Sequence, residues 1–101
     1  MSAARLSPQA RGDLLRATRW IATDNPAAAE ALREAVGKAV SQIGTHRNCG
    51  VARPEIIGAP YRFVTLTGFP YLLVYNADFE PPLVVRVVHG ARDLQDVTRR
   101  I

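Results

Sequence analysis

The sequence predicts an α+β domain in the order β-α-α-β-β-β, with a helical hairpin packed on one face of a mainly antiparallel sheet. Three observations carry this. Ser7-Pro8 and Asn25-Pro26 each stand before a stretch whose apolar residues recur at helical spacing. The runs Tyr61 to Leu66, Tyr71 to Asn76 and Leu83 to His89 are rich in β-branched and aromatic residues. Short breakers, Gly68-Phe69-Pro70 and Asp78-Phe79-Glu80-Pro81-Pro82, separate those runs, so neighbouring strands pair as a meander.

Ala3 to Leu6 reads as a short first strand with Ala4 and Leu6 on one face. Ser7 caps the first helix and Pro8 occupies its first position, where a missing N–H costs nothing. Ala10, Leu14, Ala17, Thr18 and Ile21 form its apolar stripe, and the helix ends near Thr23. The second helix starts at Asn25-Pro26, carries Leu32, Val36, Ala39, Val40 and Ile43 on one face, and ends at Gly44. So short a connection folds the two helices back as a hairpin. Thr45 to Pro60 is the one long irregular segment, with His46, Arg47, Arg53 and Pro54 in it. Long loops in compact domains are often functional, which marks it for attention. Asp93 to Arg100 adds a final helical turn or a loose tail.

The sheet poses a problem of cover. Tyr71, Leu73 and Tyr75 share one face of their strand while Leu72 and Val74 share the other. In the last strand, Val85, Val87 and His89 alternate with Val84, Arg86 and Val88. Both faces are apolar, yet two helices cover only one. The other needs the C-terminal segment, a second copy or a partner protein.

With 101 residues, the whole chain 1–101 is read as a single domain. A hydrophobic share of 48% and a charged share of 22% are those of a globular protein and exclude a disordered tail. The formal charge is +4, and Lys38 is the single lysine among 13 basic residues. Such a surplus suits an acidic partner, protein or nucleic acid, though coding bias explains arginine over lysine equally well. The single Cys49 excludes an internal disulfide and a cysteine metal cluster, and no motif surrounds it. No metal or cofactor is called for. The N-terminus lacks a signal-peptide pattern and no apolar run approaches the roughly 18 residues of a membrane span. A cytoplasmic protein without membrane contact is therefore expected.

Several side chains are candidates for a site. His89 ends the valine-rich strand beside Gly90, either as a proton-transfer group or as a strand-end histidine bonded to backbone. Arg92-Asp93 presents an arginine to a target or forms a local ion pair. Arg86, alone among valines, is read as facing the open side of the sheet and an acidic partner; the alternative is an edge arginine whose stem lies along apolar surface. Arg62, between Tyr61 and Phe63, is expected to point the same way and complete a basic patch. Trp20 flanks its helix's apolar stripe, where it either seals the hairpin against the sheet or anchors a partner.

The pieces also have a familiar order. Leu6-Ser7-Pro8-Gln9-Ala10 leads into Asp13-Leu14-Leu15, and Trp20-Ile21-Ala22 precedes Asp24-Asn25-Pro26. Tyr71-Leu72-Leu73-Val74-Tyr75 precedes the valine strand, which runs into His89-Gly90-Ala91-Arg92-Asp93-Leu94. With the element order, this resembles the RelE/ParE superfamily of bacterial type II toxins, in its ParE-like branch. The resemblance implies a growth-inhibiting toxin, of the plasmid-stabilisation kind, encoded with a cognate antitoxin that covers the hairpin and the open sheet face. It implies contact with operator DNA only indirectly, through the antitoxin.

Two activities divide the superfamily. RelE-like members are ribosome-dependent mRNA endonucleases with basic residues on the sheet and a C-terminal tyrosine or histidine. Here Leu72 stands where those members carry an arginine, and Asp93 to Ile101 holds no tyrosine, histidine or lysine. Only Arg92 matches, so a nuclease would have to use His89, Arg92 and Arg53, with His46 as a further substitute. ParE-like members poison DNA gyrase, and the His-Gly-Ala-Arg-Asp ending with its thin catalytic set fits them better. The resemblance thus implies a gyrase inhibitor acting by protein–protein contact and not an enzyme, with Trp20, Arg62, Arg86 and Arg92 as partner-binding residues. A RelE-like ribonuclease and an inactive antitoxin-binding member are the alternatives.

Overall fold

A computed structural model describes residues 3–98 and 101. The elements are β1 (Arg5–Leu6), α1 (Pro8–Asp24), α2 (Pro26–Thr45), β2 (Tyr61–Thr65), β3 (Tyr71–Asn76), β4 (Leu83–His89) and α3 (Leu94–Thr98). Both helix starts lie where the dipeptides place them. Ser7 Oγ accepts from the Ala10 N–H and Asn25 Oδ1 from the Ala28 N–H, so each cap satisfies a donor that the first turn leaves over. The second helix runs one residue past Gly44, and its last turn closes when the His46 N–H donates to Gln42 O at 2.8 Å.

The sheet order is β1-β4-β3-β2, with β1 parallel to β4 and the other pairs antiparallel. Ala4, Leu32, Val36, Ile43, Leu73, Tyr75 and Val84 meet between the hairpin and one sheet face. Burying each large apolar side chain here contributes roughly 1.5–3 kcal/mol.

The second face is covered by the chain itself, which corrects the expectation of an open face. Phe63, Leu72, Val74 and Val88 are buried there beneath Ile56 and Ile57 of the long loop and Leu94 of α3. The loop can lie down because a tight turn at its centre, with the Ile56 and Ile57 N–H groups donating to Arg53 O, presents two isoleucines side by side. Leu94 belongs to the C-terminal segment, one of the covers the sequence allows, whereas the isoleucine turn is a cover it does not announce.

The alternation assigned to the last strand also fails, at a β-bulge. The register steps from Val74↔Arg86 to Tyr75↔Val84, which leaves Val85 as an extra residue. Val84 and Val87 consequently both face the hairpin core, while Val85 and Val88 belong to the opposite cluster.

The segment after α2 is a structural clamp. Tyr75 is fully buried, with its hydroxyl donating to Arg47 O at 2.7 Å and accepting from the Gly50 N–H at 2.9 Å. Those bonds allow a phenol to be buried without an orphaned polar group, and burial raises its pKa above the ordinary 10.0. A Cβ on Gly50 would stand 2.7 Å from a Tyr75 ring carbon and 2.9 Å from Phe63 O, so no larger residue fits. The Arg47 guanidinium reaches across to Ala77 O and Glu80, tying the clamp to the turn between β3 and β4.

Candidate functional site

One flank of α1 presents Asp13, Arg16, Ala17 and Trp20, at the i, i+3, i+4 and i+7 positions that share a helix side. Opposite them lie Tyr71 at the start of β3, Val87 and His89 at the end of β4, and Arg92-Asp93 in the following turn. Together they line a cleft of ≈ 370 Å³.

Asp13 is the keystone of this arrangement. Its carboxylate is only 8% exposed and accepts from Arg86 Nε at 2.7 Å, Arg86 Nη2 at 2.9 Å, the Val87 N–H at 3.0 Å and Arg16 Nη2 at 2.9 Å. The forked contact is the geometry in which arginine holds a carboxylate best. It raises the Arg86 pKa above its ordinary value, with the Asp13 hydrogen bond as the main cause and burial opposing it. The Val87 N–H belongs to the strip of β4 that β1 is too short to reach, so Asp13 also closes part of an open sheet edge.

His89 packs edge-on against Tyr71, ring centroids 5.4 Å apart at 81°. Its Nδ1 accepts from the Arg92 backbone N–H at 3.2 Å, and its carbonyl accepts from the Asp93 N–H at 2.9 Å. The Arg92 side chain pairs with Asp93 at 3.3 Å, the main cause of its raised pKa, and stays largely exposed.

The candidates from the sequence therefore separate. Trp20, His89 and Arg92 come together at the cleft. Trp20 is 73% exposed, which overturns the reading of it as a seal between hairpin and sheet. Arg86 does not face an open sheet side: its guanidinium, 18% exposed, turns around the β4 edge to Asp13, because the one arginine of β4 meets the one carboxylate on that flank of α1. Arg62 lies on β2, two strands away from β4, and donates to Gly50 O at 2.7 Å to fasten the clamp loop. The basic patch of Arg62 and Arg86 does not form. Arg53 pairs with Glu55 and lines a different depression, with Cys49, Val51 and Phe63. His46 caps α2.

Asp13, Arg16 and Tyr71 are cleft residues the sequence reading passed over. One signal was present for Asp13: an acid beside the apolar stripe of α1, matched by a single arginine within a valine strand. Among the described residues, no group of three or more His, Cys, Asp or Glu could hold a metal ion, and no helix is long and apolar enough to cross a membrane.

Comparison with known proteins agrees with the architecture. A family model described as the ParE toxin of the type II toxin-antitoxin system, parDE, matches residues 4–94. The fold is similar to that of a chain solved from a chromosomal ParDE TA system of P. aeruginosa, with a TM-score of 0.73 over 88% of this chain and 96% of that one, at 18% identity. Comparison with curated proteins gave no match.

Proposed function

The chain belongs to the ParE toxin family of type II toxin-antitoxin systems, and from that premise we propose that it arrests growth by binding DNA gyrase and is neutralised by a cognate antitoxin. The observation that carries a contact mechanism over a nuclease is the division of the polar groups. Strand cleavage by 2′-OH attack needs a base and several donors converging on one phosphate. Arg53 lines one depression while His89 and Arg92 line another. His89 Nδ1 is engaged locally by the Arg92 backbone N–H, which it shares with the His89 carbonyl. An exposed tryptophan flanked by arginines has instead the make-up of a protein-binding hot spot.

Expression without antitoxin in a susceptible bacterium tests this. Growth arrest with relaxed plasmid DNA and intact translated mRNA is expected, with recovery when the antitoxin is induced. Arrest with cleaved mRNA would mean a ribonuclease, and no growth defect an inactive member that only binds its antitoxin.

A further inference from the structure

We propose that the outer face of α1 grips duplex DNA by its phosphates through Arg11, Arg16 and Arg19, so that the toxin holds the DNA on which gyrase works as well as the enzyme. The proposed contact with gyrase supplies only the source of that duplex; the grip itself stands on the charge and shape of the helix.

The distribution of charge carries it. Six of the described arginines pair with a carboxylate, and for most of them the positive charge is cancelled where it stands. Arg11 and Arg19 are exposed and form no ion pair among the described residues; Arg11 only donates from Nε to Leu6 O at 3.4 Å. Arg16 has a partner in Asp13, but Arg86 holds the same carboxylate, so one negative charge stands against two positive ones. The side chain of Arg16 is 70% exposed. The net charge of +4 therefore has its least cancelled part on α1.

The helical period then gathers these groups. Arg11, Leu15, Arg19, Gly12, Arg16 and Trp20 follow one another around about 180° of the helix surface, with no acid among them. Gly12 has a part in this. A Cβ there would stand 3.2 Å from Arg16 Nη1, so the bare backbone lets that guanidinium lie flat against the helix beside the other two.

Shape decides for a duplex over an acidic peptide. The convex outside of a 17-residue helix offers a peptide no groove, whereas a duplex brings its own. Arg11 and Arg19 are two turns apart, about 12 Å along the axis. The major groove of B-DNA is about 12 Å wide and admits a helix. Set across it, α1 presents Arg11 to the phosphates of one lip and Arg19 to those of the other, where the guanidinium fork matches phosphate oxygens. Gly12 and Leu15 between them have no side-chain donor for a base edge, so binding should ignore sequence.

Fluorescence anisotropy of a labelled DNA duplex, titrated with purified toxin at several salt concentrations, tests this. Two unrelated sequences should bind alike. The logarithm of the association constant should fall against that of salt with a slope of about −3, near one per arginine. Arg11→Gln combined with Arg19→Gln, at exposed positions, should leave the toxin folded, weaken binding about 10-fold or more and reduce the slope by about 2. Arg33→Gln combined with Lys38→Gln removes the same charge from exposed positions of α2 and should leave the slope as it was. An equal loss from that second pair would assign binding to net charge and overturn the inference. So would a duplex left unbound at low salt, or poly-L-glutamate that competes as well as unlabelled duplex. Gyrase left uninhibited by a toxin that binds the duplex in this way would overturn the functional reading alone.

Discussion

Replacing Asp13 by alanine should be the most damaging single change near the cleft. It removes the acceptor of two Arg86 bonds, of the Val87 N–H and of Arg16, at a carboxylate only 8% exposed. Leaving one member of a buried ion pair without its partner costs about 3–5 kcal/mol, and an orphaned N–H about 1–3 kcal/mol by itself, with the two overlapping. A loss of about 4 kcal/mol lowers the Tm of a domain of this size by roughly 15–30 °C. Urea unfolding at 25 °C followed by circular dichroism measures it. Arg86→Met in the same background should recover part of the loss, because it removes the stranded charge. Arg86→Met alone should cost less than Asp13→Ala, since Asp13 keeps Arg16 and the Val87 N–H. A loss below about 1 kcal/mol for Asp13→Ala, the ordinary size for an exposed pair, would refute the keystone role. So would a double variant less stable than the single one.

Two further outcomes concern the clamp that carries the sheet into α2. Gly50→Ala should destabilise by about 2–3 kcal/mol, because the new methyl would press on the Tyr75 ring and the Phe63 carbonyl; an unchanged urea midpoint would refute it. Tyr75 has its pKa raised above 10.0, chiefly by burial. An acid with a raised folded-state pKa contributes stability that is fully present below its unfolded pKa and lost as pH rises through the folded value. Stability should therefore decline above pH 10.0, and Tyr75→Phe should flatten that decline while losing the two hydroxyl bonds at every pH.

The local code of this chain was legible where one short segment decides the outcome. Ser7-Pro8 and Asn25-Pro26 place both helix starts, and the runs from Tyr71 and Leu83 place β3 and β4 at the bounds the sequence predicts. What escaped were pairings between distant residues. Asp13 and Arg86 lie 73 residues apart, and no local pattern announces their meeting. The bulge at Val85 has no glycine to mark it, yet it shifts the later strand residues by one position and sends Val87 to the hairpin core. The isoleucines that cover the second face sit in a segment without periodicity, so their burial depends on where that turn falls over the sheet. With the second sheet face covered, the surface open to a partner is the exposed Trp20 beside Arg16 and Arg92, while Arg62 and Arg86 hold the chain together.

The most direct test of a toxin that acts by contact is a supercoiling reaction with purified gyrase and relaxed plasmid, titrated with the purified toxin. The account expects supercoiling to fall to zero as toxin saturates gyrase, with His89→Ala as effective as the parent because no proton transfer is involved. Full supercoiling at saturating toxin, with cleavage of translated mRNA in a parallel reaction, would contradict it.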